Sequence, residues 1–320
     1  MRGESCLLRS KHFLNAPMKV KDYLKVGFIF SFWGFTITLA VFNIFALRNY
    51  LALKNIKLQD FVQYYAGALM VRDGNGRFLY DTEKTKSYND SILYPETRDT
   101  IGPTRNPVIA YLWYYPLTFL PLKSAYKLSI FLNLLLVLAL GFTLKNQFKD
   151  FLTLPKIILI LVSYYPVILT IIKGQITLLI ALLFLISYRF FRKQELVSGL
   201  FLGLSFIKPL FALVGTPFFL ILAKNKKIFL AGVFTMMLMT LIINFSVTGF
   251  KASINYPKFI INTENARFDS PASEMQTLYK SLASYPDYTF WILAILYLIS
   301  IFIFYRYQNG NLENLYIASL

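Results

Sequence analysis

Long apolar runs, separated by short clusters of Lys and Arg, constrain this chain more than any other feature of its sequence. Such runs are long enough, at about 1.5 Å per helical residue, to cross a hydrocarbon core about 30 Å thick. A helix pairs its backbone polar groups within the segment, and the alternation typical of strands is absent from these runs. Only 15% of the residues are charged, against about 25% in a soluble domain. The sequence therefore predicts an all-α polytopic membrane protein.

The expected membrane segments are the apolar runs between basic turns. They are Val26–Leu47, Lys127–Leu144, Ile157–Ile172, Ile176–Phe191, a broken pair over Leu196–Ala223, Ile228–Thr248 and Tyr288–Tyr305. Val108–Leu122 is apolar but short and bounded by prolines, so it either crosses fully or dips in and returns. Both readings stay open, which gives about eight or nine segments in a single transmembrane domain over residues 26–320.

The basic clusters predict the orientation, because Lys and Arg are enriched in cytoplasmic loops. They lie in the tail 1–25, at Lys145, Lys149 and Lys156, at Tyr188–Lys193, at Lys224–Lys227 and at Arg306. If all of them are cytoplasmic, residues 48–106 and 249–287 form two large extracytoplasmic loops, and the turn Lys173–Gln175 also faces outward. We expect a multi-pass protein of the cell membrane with a cytoplasmic, basic N-terminal tail, in which Val26–Leu47 is an uncleaved anchor.

Charge and composition exclude several classes of function. The formal net charge is +17, but Lys and Arg lie in turns facing anionic lipid, so membrane lipids and not nucleic acid are the expected partners. The single cysteine, Cys6, and the single histidine, His12, both lie in the tail, so the apolar body carries no disulfide and no His-based acid–base or metal chemistry. The chain has no Gly-rich nucleotide fingerprint, no DxD and no carboxylate cluster, which predicts that it needs neither metal nor cofactor.

Asp60 opens the segment that follows the first apolar run. From Phe61 to Leu69 the apolar residues fall on one helical face, which predicts a short amphipathic helix on the membrane surface, ended near Asn75. As the N-cap of that helix, Asp60 would accept a backbone N–H. As a carboxylate beside an apolar wall, it could instead act as a general base toward a hydroxyl. The two interpretations are compatible, and Asp81 is expected to be a structural turn former.

Lys208 and Pro209 lie near the middle of the run Leu196–Ala223, which is too short for two full spans of about 20 residues each. Proline removes a helical hydrogen bond, and a lysine at depth is costly unless it is paired or lies in a water-filled cavity. Two shortened helices meeting at an outward-facing cavity satisfy both constraints. Lys208 is then either a cation for an anionic ligand group or a snorkelling lysine at a helix break.

Four stretches follow one another in the order found in one membrane family. They are "QDFVQYYAGALMVRDGNGRFLYD" (59–81), "RNPVIAYLWYYPLTFLPL" (105–122), "IIKGQITLLIALLFL" (171–185) and "GLFLGLSFIKPLFALVGTPFFLILAKNKK" (199–227). Together they resemble the polyprenol-phosphate-dependent GT-C glycosyltransferases of family 87, which include bacterial α-mannosyltransferases. The resemblance covers about residues 57–227, with a weaker echo at 270–283.

The resemblance implies a GT-C-type helical bundle whose active site faces away from the cytoplasm, below a large first loop carrying amphipathic helices. It implies a polyprenyl-phosphate sugar donor, a glycan or glycolipid hydroxyl as acceptor, and transfer with inversion. Asp60 stands at the position of the catalytic base. The other expected site residues are Lys208, Lys173, Gln175 and Arg105 around the donor phosphate and cavity, and Tyr64, Tyr65 and Gln276 as acceptor or loop contacts.

Two departures from the family pattern bear on acceptor recognition. Val108 follows Asn106-Pro107 where members usually have a second proline, and Met275–Leu278 stands where they usually have Asn-Gln-Ser-Leu. The chain also ends on what resembles the opening of another apolar helix, so we expect a bundle truncated at its C-terminus. Two alternatives remain: a transporter or flippase, which predicts repeats that the two halves do not show, and a polymerase or ligase of lipid-linked glycans.

Overall fold

A computed structural model describes residues 20–51, 56–96, 106–147, 152–191, 193–268 and 286–307, and every regular element in these ranges is helical. The α-helices are α1 (Val20–Leu51), α2 (Phe61–Arg72), α3 (Thr82–Leu93), α4 (Val108–Tyr114), α5 (Leu122–Gln147), α6 (Leu154–Ser163), α7 (Tyr165–Lys173), α8 (Thr177–Phe190), α9 (Glu195–Leu204), α10 (Pro209–Leu222), α11 (Lys226–Phe268) and α12 (Pro286–Tyr307). Short 3-10 helices occupy Ile56–Leu58, Gly76–Phe78, Tyr115–Phe119 and Ser205–Ile207.

Three of the described helices are long and apolar enough to cross a membrane, namely Gly27–Asn49 within α1, Leu122–Asn146 within α5 and Lys226–Ile260 within α11. Helix α1 exposes most of its large apolar side chains, with Phe28 72% and Phe30 75% exposed. Apolar surface on this scale is typical of helices that contact lipid. The prediction of an all-α polytopic membrane protein is therefore confirmed.

The run Ile157–Ile172 is not one straight span. Helices α6 and α7 meet at Tyr164 with a bend of 72°. Pro166, in the first turn of α7, has no N–H to continue the hydrogen-bond ladder of α6. Asn43 of α1 is buried at the break, and its amide donates to the carbonyls of Val162 and Ser163, both at 2.9 Å. The structure thus pairs carbonyls that the bend releases.

The break predicted within Leu196–Ala223 is present at Lys208. Helix α9 ends in the 3-10 turn Ser205–Ile207, Lys208 is extended (φ −124°, ψ 93°), and α10 begins at Pro209. The other ambiguous segment, Val108–Leu122, is shorter than a full span. Helix α4 has seven residues and the 3-10 helix after it has five, so together they reach about 20 Å, against about 30 Å for a hydrocarbon core.

Helix α11 runs on past the expected end at Thr248. It continues to Phe268 and is kinked at Gly249, whose φ is 78°. The apolar core that positions the functional site lies mainly between α2, α4, α5, α7 and α8. Its largest fully buried side chains are Phe61, Met70, Leu79, Tyr111, Tyr114, Tyr126, Ile168, Ile171, Ile172, Ile176 and Ile180. A second, smaller cluster at the ends of α8–α11 is built on Phe191, Phe219 and Phe229.

Candidate active site

Helix α2 is enclosed by protein, so the prediction that it lies on the membrane surface with one apolar face is wrong. Eight of its residues are buried, on all sides of the helix: Phe61, Val62, Tyr64, Tyr65, Ala66, Gly67, Ala68 and Met70. Helix α4 and the 3-10 helix after it pack over α2, and the Tyr64 ring stacks on Tyr114 with centroids 4.7 Å apart. The next helix in the loop, α3, does bury a single face, through Thr85, Asn89 and Leu93.

Asp60 precedes α2, but its carboxylate does not cap the helix. Its backbone is helical (φ −64°, ψ −23°), and its side chain accepts no backbone N–H. The Asp60 carbonyl, not the carboxylate, accepts from the backbone N–H groups of Gln63 and Tyr64. The N-cap interpretation is therefore wrong. The structural interpretation of Asp81 is confirmed, because that carboxylate caps α3 at the N–H groups of Glu83 and Lys84.

The Asp60 carboxylate accepts a short hydrogen bond from the side-chain amide of Gln175. Gln175 follows Gly174, which ends α7 in the left-handed conformation (φ 63°, ψ 37°). Two buried tyrosines hold this turn. Tyr114 Oη donates to the Gly174 carbonyl at 2.7 Å, and Tyr126 Oη donates to the Ile172 carbonyl at 2.6 Å. The tyrosines of the core thus fix the turn that brings Gln175 to Asp60.

The hydrogen bonds continue from Gln175 to Lys208. Thr177 Oγ1, in the first turn of α8, donates to Gln175 Oε1 at 3.2 Å and accepts from Lys208 Nζ at 2.9 Å. Asp60, Gln175, Thr177 and Lys208 are all half-buried, and we name this series the Asp60–Lys208 chain. The Lys208 ammonium also lies 5.6 Å from the centre of the Phe211 ring. The break between α9 and α10 thus places a cation inside the bundle.

Tyr64 lies close to this chain, whereas the hydroxyl of Tyr65 does not. Tyr64 Oη accepts from the Asn106 side-chain amide at 3.2 Å. Burial is the main cause that raises the pKa of Tyr64 well above its usual value, and the neighbouring Tyr111 and Asp60 add to it. The hydrogen bond from Asn106 lowers the pKa by less, so the Tyr64 hydroxyl stays neutral. Tyr65 Oη donates instead to the Leu120 carbonyl at 2.8 Å.

The remaining predicted site residues are placed only in part. Lys173 is the last residue of α7, adjacent to Gly174, and is half-buried. Arg105 and Gln276 lie outside the described residues, as do Cys6 and His12 of the tail. Within the part of the chain that the structure describes, no group of three or more His, Cys, Asp or Glu side chains is arranged to hold a metal ion.

Sequence reasoning missed Thr177. A threonine at the start of a helix is ordinary, and its only signal was its position two residues after Gln175 in "KGQIT".

Among the described residues, Asp60 Oδ1 accepts no hydrogen bond, while Oδ2 is bound by Gln175. A carboxylate with one free oxygen can take a proton from a hydroxyl, and an ammonium on the same chain of contacts can stabilise an anion.

A comparison with protein families supports one class of chemistry. The family model described as Glycosyltransferase family 87 matches residues 105–320, more than half of the chain. No curated protein and no solved structure matches this chain. Gln175, Thr177 and Lys208 lie inside the matched region, whereas Asp60 lies before it.

Proposed function

The chain belongs to glycosyltransferase family 87, and from this premise we propose that it transfers a sugar from a polyprenyl-phosphate donor to a hydroxyl of a lipid-linked or cell-envelope glycan. The sugar is mannose or another hexose or pentose, and the transfer inverts the anomeric carbon. We place the reaction on the extracytoplasmic face of the cell membrane, with the N-terminus in the cytoplasm.

The observation that carries this proposal is the Asp60–Lys208 chain. In the proposed reaction Asp60 Oδ1 takes the proton of the acceptor hydroxyl, whose oxygen bonds to the anomeric carbon of the donor sugar. The bond between that carbon and the phosphate oxygen breaks, and its electron pair leaves with the phosphate. Lys208 stabilises the departing anion in a site of low dielectric. We propose Lys173 and Arg105 as further cations for the same phosphate.

The surroundings of Lys208 suit a phosphate that is carried by a lipid. Leu210 and Phe211, which follow Lys208 on α10, are 71% and 44% exposed. In a membrane this apolar surface faces hydrocarbon, so a polyprenyl chain lying against it would present its phosphate to the ammonium. A water-soluble nucleotide sugar gains nothing from such a surface.

The acceptor is proposed to contact the loop residues around Tyr64. The Tyr64 hydroxyl stays neutral and lies near Asp60, so it can hydrogen-bond an acceptor hydroxyl. Tyr65 is the weaker candidate, because its hydroxyl is bound to the Leu120 carbonyl. Gln276 is also proposed as an acceptor contact, on the basis of the family resemblance alone.

A donor-exchange experiment tests this proposal. Purified protein in vesicles is given a cell-envelope glycolipid extract and one of three radiolabelled donors: a polyprenyl-phosphate sugar, a nucleotide sugar, or a polyprenyl-pyrophosphate oligosaccharide. We expect label to move only from the first donor, and the product anomer to be opposite to that of the donor. Transfer from the nucleotide sugar would overturn the lipid-borne donor, and transfer of the whole oligosaccharide would identify a polymerase or ligase.

A further inference from the structure

We infer that Thr177 is a positioning residue that holds the Gln175 amide in the orientation from which it fixes Asp60. The inference rests on the proposed function, in which Asp60 is the base. A threonine hydroxyl has one hydrogen to donate and two lone pairs to accept with. Since Thr177 Oγ1 accepts from the Lys208 ammonium, its own hydrogen is directed to Gln175 Oε1.

This arrangement binds both ends of the Gln175 amide. The carbonyl oxygen faces Thr177, and the NH₂ group therefore faces the Asp60 carboxylate and occupies Oδ2. Without the Thr177 hydroxyl the amide is held at one end only, and its side chain gains rotamers that no longer fix the carboxylate. The carboxylate can then rotate, and Oδ1 is no longer held in the one orientation from which it takes the proton of the acceptor hydroxyl.

The Thr177 hydroxyl has no part in holding the helix backbone, which separates this role from a structural one. The hydroxyls of Thr216 and Thr235 donate to carbonyls four residues earlier in their own helices, at 2.6 and 2.7 Å. The hydroxyl of Thr177, in contrast, bonds only to side chains, those of Gln175 in the preceding turn and of Lys208 at the break between α9 and α10. Removing it therefore leaves the backbone hydrogen bonds of α8 intact.

The test compares Thr177→Val, which keeps the shape, with Thr177→Ser, which keeps the hydroxyl. Thr216→Val is the matched control, a half-buried helical threonine in α10 that bonds only its own helix. Turnover of radiolabelled polyprenyl-phosphate mannose, with an envelope glycolipid extract as acceptor, is measured at several donor concentrations. We expect Thr177→Val to lower kcat about tenfold or more with the donor KM unchanged, and Thr177→Ser and the control to keep the wild-type kcat.

A double-mutant cycle adds a readout that a structural role would not move. If Thr177 acts through Gln175, then Thr177→Val causes no further loss in a Gln175→Met background, whereas independent effects would multiply. A wild-type kcat in Thr177→Val, a multiplied loss in the double variant, or a raised donor KM with unchanged kcat would each overturn the inference.

Asp60→Asn in the same assay separates failure of this inference from failure of the proposed function. If Asp60→Asn is inactive and Thr177→Val is not impaired, Asp60 remains the base and only the positioning role falls. If Asp60→Asn keeps full turnover, the proposed base is wrong, and the role of Thr177 falls with it.

Discussion

Replacing Gly174 by alanine is expected to move Asp60 without unfolding the protein. A Cβ at Gly174 would lie 2.7 Å from Phe61 Cβ, while ordinary contact begins at 3.4 Å, so the two must separate by 3.4 − 2.7 = 0.7 Å. Phe61 is fully buried and its Cβ is fixed to the backbone, so the backbone next to Asp60 has to shift. Because a misplacement of about 1 Å can cost about 100-fold in rate, we expect kcat to fall about 10- to 100-fold.

Gly74→Ala is the matched control for this variant. Gly74 has a similar backbone conformation, with φ of 74° against 63° at Gly174, but no atom lies within 4 Å of where its Cβ would be. Both variants carry the left-handed strain of about 1 kcal/mol, which thermal unfolding in detergent measures. Sugar transfer should fall only in Gly174→Ala. Equal turnover in the two variants would refute the argument that the α7–α8 turn sets the position of Asp60.

Three further variants test other contacts. Asn244→Val should lower the Tm more than Tyr80→Phe, because Asn244 Oδ1 accepts from both Tyr80 Oη and the buried Val108 N–H, and a buried donor left unpaired costs about 1–3 kcal/mol; equal shifts would contradict this. Asp81→Ala should lose about 1 kcal/mol of stability with the loss of the α3 cap yet transfer sugar normally, and impaired transfer would give Asp81 a role we do not assign. Lys208→Met should lower kcat/KM for the lipid donor about 100-fold, and an unchanged value would remove Lys208 from the phosphate site.

The sequence predicted the broken helix at Lys208 and Pro209 because proline acts locally, through its missing N–H. It did not predict the enclosure of α2, since a face of tyrosines at helical spacing fits a membrane surface as well as a protein core. A signal for burial was present, however. Apart from Gln63 and Arg72, the helix carries no strongly polar residue on any side, a pattern typical of a buried helix.

The sequence predicted three of the four residues of the Asp60–Lys208 chain but not the contacts between them. Asp60 and Lys208 were candidates from their own surroundings and Gln175 from the family resemblance, but Asp60 and Gln175 are 115 residues apart, and only the folded bundle shows that they touch. The position of Asp60 before a helix also fits a cap, and sequence alone could not decide whether its carboxylate faced the helix or the Gln175 side chain. The role of Thr177 depends on its tertiary contact with Lys208, so its position two residues after Gln175 was not enough to identify it.

The most direct test of the central claim compares Asp60→Asn with Asp73→Asn in transfer from a radiolabelled polyprenyl-phosphate sugar. Asp73 lies at the opposite end of α2, where its carboxylate contacts Arg72 on the surface. If Asp60 is the base, its near-isosteric amide should lower kcat about 100- to 10,000-fold while Asp73→Asn transfers sugar at the wild-type rate. Full turnover in Asp60→Asn would contradict the account.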